Sequence, residues 1–563
     1  MSCHVDKEKE PELANTTESS PKEQKTAVAA LSNEIMDEIF EILLHEKKLG
    51  PCGAVARSWE KPVRRIFFRE LTTTDQPEDF KHLIEIVTPE RSRWVKRLHF
   101  VVFIPYSFDV DDKDNDDVFE RSLASLLRIM AAWHHDGQAP RVLSITSSWL
   151  WKEPDWFTSW SRSRGERCHT RSISQESTFK YSRFNLDCET LPVLAYMKQL
   201  EIRLSTHATY NTTGRRIALA TWPKLLSKMP SVTTTSMTLI DEGFRDVAQQ
   251  RSDRLGLAES FRDDGYMSAS TVRDVKLDMK HAIFRTPTIQ HCELLSPYSF
   301  DPLSASLRNW SHNLVRLKLK GKFDQSLFWP QDNEWDGYEA TEEPLWPNLE
   351  EFSVGLHQES PSGKQYLLPG DHHRVKILPV PTSNSGYSPP RLSDDLTARN
   401  EIEQGDPWGQ YASVPSPQPF RREKRNSNAH EVPCPETFNP VVEAWAQALR
   451  NMPSLQSAQL FIDCYIDEGS NKRSDDCEFV WRIGYEAPGG IRWDEKWKPF
   501  RRLVLYNVMG WRPENSTMDK LRQVGEKSHP GRDMKILDGE RRHLPPIDDS
   551  TPPSEWPPWP YEW

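Results

Sequence analysis

The sequence predicts an α/β protein: an N-terminal module of three short helices, then an irregular solenoid of helix–strand units. Three observations lead there. Residues 28–71 carry apolar side chains at helical spacing, punctuated by Gly50-Pro51 and Pro62. Beyond them a short word recurs whose last apolar positions alternate, the period of a half-buried strand. Amphipathic stretches lie between many of these words, giving a repeat of roughly 35–50 residues.

The module comes first. Ser32 is a good N-cap, and Glu34 falls in the first turn, where the helix dipole favours a carboxylate. Ile35, Ile39, Ile42 and Leu43 recur at three- and four-residue spacing, which puts them on one face. Gly50-Pro51 ends that helix, because glycine accepts the left-handed cap and proline cannot continue the run. A second helix is expected over Cys52–Trp59, with Val55 and Trp59 on one side. Pro62 opens a third, with Val63, Ile66 and Phe67 facing inward. Leu31, Ile35, Phe40, Leu44, Trp59 and Phe68 then exceed what a core of about forty residues can bury, and such a surplus marks a partner surface.

The order L-S-N-E-I-x-x-E-I-F over 31–40, C-x-x-V-x-R-S-W over 52–59 and F-F-R-E-L over 67–71 resembles an F-box. The resemblance covers 28–71 of the 563 residues, and Ser32 stands where the family usually has proline. It implies a module that docks on a Skp-family adaptor and, through it, on a cullin scaffold. Carried over position by position, it implies a first contact strip of Leu31, Ser32, Glu34, Ile35, Ile39 and Phe40. Leu43, Leu44, Val55, Trp59 and Phe68 would complete the adaptor-binding surface, with Trp59 as its hot spot.

The strand words begin at Trp94-Val-Lys-Arg-Leu98 and continue at Pro140–Ile145, Met197–Leu204, Val272–Leu277 and Asn313–Leu319. Further words are Pro347–Val354, Pro453–Leu460 and Pro499–Leu505. Between them, Val118–Trp133, Arg215–Met229 and Pro440–Met452 read as amphipathic helices. Helix, turn and short parallel strand repeat, and this part resembles an irregular leucine-rich repeat array of the sort found behind fungal F-boxes. A single α/β domain with ordinary core strands is the alternative.

The predicted organisation is a disordered tail over 1–27, the F-box over 28–71 and the first part of the repeat domain over 72–356. A Pro-, Ser- and charge-rich insertion over 357–435 reads as disordered, the last repeats occupy 436–540, and a Pro/Trp-rich tail fills 541–563. The tail's tryptophans are candidates to dock as an extended strap.

Composition narrows the functions. The formal net charge is −11 with 28% charged residues, so no global basic field for nucleic acid exists. No run of about eighteen apolar residues and no opening basic-then-apolar segment occurs, so a membrane span or secretion is not expected. The eight cysteines form no C-x-x-C pair and read as reduced, packed thiols of an intracellular chain, cytoplasmic or nuclear. The Arg421–Arg425 basic cluster keeps nuclear import open.

Chemical motifs are missing. The acidic run Asp109–Asp117 lacks the glycine at its sixth position and the glutamate at its twelfth that a calcium loop needs, so a solvated loop is expected. His134-His135, His372-His373, Cys168-His169 and His291-Cys292 lack tetrahedral ligand spacing. Gly363-Lys364 is not a phosphate loop, and no nucleophile elbow or dinucleotide fingerprint occurs. No metal, cofactor or catalytic residue is implied. The expected function is substrate recognition for an SCF-type ubiquitin ligase, with an unidentified protein target. A non-catalytic scaffold using the module outside any ligase is the alternative, and a hydrolase or transferase hidden in the α/β part would need a pocket of convergent polar groups.

Overall fold

The computed structural model describes residues 33–45, 57–103, 112–133, 141–148, 181–182, 191–204, 216–240, 247–262, 271–280, 289–290, 293–331, 346–368, 378–379, 432–465, 478–489, 497–506 and 511–539. Among them lie ten α-helices, α1 Asn33–His45, α2 Arg57–Phe67, α3 Pro77–Ile86, α4 Pro89–Ser92, α5 Asp112–Ala131, α6 Thr221–Ser227, α7 Val247–Arg262, α8 Pro302–Trp310, α9 Pro435–Arg450 and α10 Asn515–Arg522. One twelve-stranded sheet organises the mixed α/β fold. Its strands are β1 Glu70–Thr74, β2 Arg97–Phe103, β3 Arg141–Ser148, β4 Met197–Leu204, β5 Thr234–Ile240, β6 Asp274–Lys280, β7 Arg316–Gly321 and β8 Glu351–Leu356. β9 Ser457–Tyr465, β10 Glu478–Glu486, β11 Arg501–Tyr506 and β12 Met534–Gly539 complete it.

Each strand of this sheet pairs with the next one in the chain. The order never reverses, so the sheet has no switch point of the kind that opens a ligand crevice in doubly wound folds. Pairing is parallel from β1 to β9 and again between β11 and β12. β10 runs antiparallel to both its neighbours, a departure from the all-parallel expectation. A hairpin needs no crossover helix, so β9 to β11 can follow one another over short stretches of chain.

Register explains the recurring word. Leu143, Leu200, Thr235, Val275, Leu317 and Phe352 stand opposite one another on successive strands, and all are buried. Two residues further on, Ile145, Ile202, Met237, Leu277, Leu319 and Val354 form a second buried row. The alternate positions face the other side of the sheet and are largely polar. Adjacent units are joined in the same way at the strand starts. The carbonyls of Thr233, Arg273, Val315 and Glu350 each accept two consecutive backbone N–H groups from the next unit, as Arg69 does at the β1–β2 junction. Partners on neighbouring strands are separated by 35 residues at Thr235 and Leu200 and by 42 at Arg316 and Asp274, inside the expected spacing. The separation falls short of it between Leu71 and Leu98, and exceeds it between Leu143 and Leu200 and between Phe352 and Ala458.

Helices and turns cover the apolar rows. Buried α6 Trp222 donates its indole N–H to Thr235 at 2.8 Å, and that hydroxyl donates to the Leu200 carbonyl at 3.1 Å. Trp346 is tied to Ser311 Oγ at 2.6 Å in the same manner. Such bonds let a large amphipathic ring be fully buried without an unpaired donor. Phe438 of α9 packs edge-on to Trp481 of β10, centroids 4.7 Å apart, with Trp511 5.3 Å from Trp481.

A polar cluster lies inside the middle of the domain. Arg254 of α7 pairs with Asp301 at 2.9 Å, with both side chains almost wholly buried. Asp301 caps α8 by accepting from the Ser304 N–H and hydroxyl, and its own N–H donates to Asp324. Asp324 in turn accepts from the Ser326 N–H and hydroxyl at the start of a 3-10 turn, Gln325–Leu327. Arg254 also donates to the Lys322 carbonyl at 3.0 Å, and Tyr366 donates to the Phe323 carbonyl at 2.5 Å.

Several boundaries differ from the sequence reading. The acidic run does not end as a loop: from Asp112 its backbone is the start of α5. The segment 357–368 belongs to the fold, since Tyr366 is buried and Leu367–Leu368 pairs with Val432–Pro433. α9 begins at Pro435, a turn before Pro440, which lies inside the helix. α6 covers only Thr221–Ser227 of the predicted Arg215–Met229 helix. The tails 1–27 and 541–563, the stretch 380–431, both His-His pairs, both Cys/His dipeptides and the Arg421–Arg425 cluster lie outside the described residues.

Candidate functional site

α1 and α2 form a small core of their own. Met36, Phe40, Val63 and Ile66 are buried together, with Leu43 and Trp59 packed against them, apart from the core of the sheet domain. Phe40 is 0% exposed and meets Trp59 edge-on, ring centroids 5.4 Å apart at 70°. An edge-to-face pair of this kind adds about 1 kcal/mol to the area it buries. The exposed Glu60–Arg64 pair, 2.5 Å apart on α2, contributes little beside it.

Packing on Phe40 turns α1 so that its isoleucines face out. Ile35 is 46%, Ile39 37% and Ile42 62% exposed, and these positions at i, i+4 and i+7 form one stripe. The inward stripe is Met36, Phe40 and Leu43, one residue further round. Phe67 at the end of α2 is also exposed, at 46%. Among the described residues, α1 thus carries an exposed apolar stripe beside a small core.

The predicted contact residues are therefore redistributed. Ile35 and Ile39 lie on the exposed stripe. Phe40 does not: it is the centre of the small core, because the large aromatic face is what Trp59, Val63 and Ile66 can cover. Leu43 and Trp59 are half-buried inside the pair, so neither stands free as a knob. Phe68 packs on the sheet domain's core and lies 6.1 Å from Trp94. Phe67, expected to face inward, faces out, while Val63 and Ile66 are buried as expected. Trp59 and Pro62, expected on two separate helices, lie on one helix, α2, which runs from Arg57 through Pro62 to Phe67; residues 52–56 of the expected second helix lie outside the described residues. Leu31, Ser32 and Val55 lie outside the described residues, as do the side chains of Glu34 and Leu44. Ile42, on the outward stripe, was absent from the expected contact set. Two apolar stripes stood side by side in the sequence, and only the bulk of Phe40 and Trp59 favoured the one that is buried.

The polar side of the sheet is a second surface. Arg97 of β2 reaches Glu201 of β4 at 3.1 Å, and Arg203 meets the same carboxylate at 2.7 Å. Burial first, and the Arg97 charge second, hold neighbouring His99 below the ordinary imidazole range, so it is neutral at pH 7. Further along, Arg316 grips Asp274 through two bonds of 2.7 and 2.6 Å, and Lys318 stands 3.9 Å from Glu351. The Asp274 hydrogen bond raises the Arg316 pKa, keeping that cation charged. This face carries mixed charge over several strands.

Among the described residues no three His, Cys, Asp or Glu side chains gather as a metal site would require. Among them, too, no helix is long and apolar enough to cross a membrane. No family model, curated protein or solved structure matches this chain.

Proposed function

We propose that this chain is a substrate-recognition subunit of an SCF-type ubiquitin ligase. On this reading the α1–α2 pair is the helical part of an F-box, which docks on a Skp-family adaptor and through it on a cullin. The sheet domain is an irregular leucine-rich-repeat-like solenoid that holds the target protein. The chain itself makes and breaks no bonds; it raises the local concentration of target beside the ubiquitin-charged enzyme.

The observation that carries the proposal is the Ile35, Ile39 and Ile42 stripe, exposed on a helix whose other apolar side is already satisfied. The order of residues 31–40 and 52–59 supports it, and so does a sheet whose strands follow the chain unit by unit. Fully covering a side chain of this size is worth about 1.5–3 kcal/mol, so three isoleucines supply the core of a specific interface.

The test is co-purification of the full chain with the adaptor. Replacing Ile35, Ile39 and Ile42 together by alanine is expected to abolish adaptor capture while the melting of the sheet domain stays unchanged. Undiminished capture would remove the assignment. Capture of the adaptor without cullin would instead favour a scaffold outside any ligase.

A further inference from the structure

A cationic patch backed by aromatic rings lies where α2 runs into the sheet. Phe68 and Trp94 are half-buried neighbours. The Arg91 guanidinium sits 5.3 Å from the Phe68 centroid, and that of Arg93 5.8 Å from the Trp94 centroid. Arg91 spends one nitrogen on the Ile86 carbonyl at 3.0 Å, which fixes the plane of its fork. Lys96, exposed, follows two residues after Trp94, and its N–H bonds to the Arg69 carbonyl at 2.9 Å, so the backbones of two further cationic residues lie side by side.

Two carboxylates of this region are engaged with another cation. Glu70 and Glu201 both stand against Arg97, at 3.8 and 3.1 Å, and exposed Glu90 is the acidic residue next to Arg91 in the chain. The whole chain carries −11, so a basic area on it is a local inversion of sign. Each guanidinium lies over an aromatic ring, which restricts it, and a guanidinium's fork of N–H donors matches a carboxylate or a phosphate.

We propose that Arg91 and Arg93, set over Phe68 and Trp94, together with exposed Lys96 two residues on, form a docking site for an acidic peptide segment, one bearing aspartate, glutamate or phosphorylated side chains. The patch is too small, and the rest of the chain too negative, to hold an extended nucleic acid. This surface uses none of the isoleucine-stripe residues, and its test does not depend on the ligase reading.

The experiment is fluorescence anisotropy with the full chain and three labelled short peptides: glutamate/serine, its phosphoserine form, and a glutamine/serine control. Both acidic peptides are expected to bind, more weakly as salt rises. Arg93→Gln with Lys96→Gln, both at exposed positions, should weaken binding about tenfold or more, with an unchanged melting curve. Trp94→Leu, which leaves every charge in place, should weaken it as well. Absence of binding, equal binding of the glutamine/serine peptide, or full affinity in the Arg93/Lys96 variant would overturn the proposal. So would a single-stranded RNA oligonucleotide that binds as tightly as the acidic peptides.

Discussion

The backbone N–H of Asp301 donates to Oδ2 of Asp324 at 3.1 Å, which brings two acidic side chains into one buried cluster with Arg254. Arg254 answers the Asp301 charge. Asp324 has only neutral donors, and burial, with the Asp301 charge next, pushes its carboxyl up to about 7.

The sign of the resulting pH dependence is definite. The native state holds the Asp324 proton more tightly than the unfolded chain, whose carboxyl titrates near 3.8. The stability this group contributes is therefore complete below that pH and is lost as pH rises toward about 7. Asp324→Asn should flatten this part of the profile relative to the parent, at a cost of about 1 kcal/mol, because an amide cannot accept from both the Ser326 and Asp301 sides. Chemical denaturation at a series of pH values measures it; parallel profiles for parent and variant would contradict the assignment.

Phe40→Ala empties the centre of the small N-terminal core, a change that costs about 3–5 kcal/mol in a well-packed site. A helix pair this size has no such reserve, so α1 and α2 should unfold. The sheet domain should keep its transition, because the two cores are separate. Hydrogen exchange would show protection lost over α1 and α2 and kept over β2 to β9.

A methyl group on Gly355 of β8 would stand 2.5 Å from Cζ of the buried Phe461 ring on β9. Gly355→Ala should destabilise by about 1–3 kcal/mol, since the ring has to move off its place. In a Phe461→Ala background the same substitution should be nearly neutral, and a double-mutant cycle reads the difference directly.

Arg502 of β11 is fully buried, bonded to the Trp497 and Ala487 carbonyls at 3.0 and 2.8 Å and to Glu486 at 3.3 Å. Arg502→Ala should cost about 3–5 kcal/mol by stranding those acceptors. Arg502→Lys should recover little, because an ammonium cannot reproduce the fork. Thermal melting of the three proteins decides it.

Much of the sheet was legible because most of its strands write their burial into alternating leucine, isoleucine and valine, as Leu317-Lys-Leu319 does. Most strands that escaped notice lack that signal, though β10 carries it in mainly aromatic form, with Trp481, Ile483 and Tyr485 buried at alternate positions. β1 and β5 are threonine-rich, and Thr235 takes a place in the buried row by bonding to Trp222 and Leu200, a partnership invisible in one dimension. β10 enters antiparallel, and β12, with one neighbour, leaves Ile536 38% exposed. At the helix pair the apolar surplus was legible, but which stripe would be spent inside was not. That was settled by the Phe40–Trp59 contact, between residues on different helices.

A sheet laid down in chain order has one expensive seam. Most strands find their partner a few dozen residues away, whereas Ser454, just before β9, bonds the Pro347 carbonyl, just before β8, across 107 residues. Chain-closure entropy grows only logarithmically, so this detour costs about 1 kcal/mol more than a 35–40-residue link. New sequence can therefore lengthen that excursion at little expense. Yet the segment ahead of the seam and the one behind it can each consolidate before they meet, so their joining is the natural last event of assembly and the first place for the molecule to come apart.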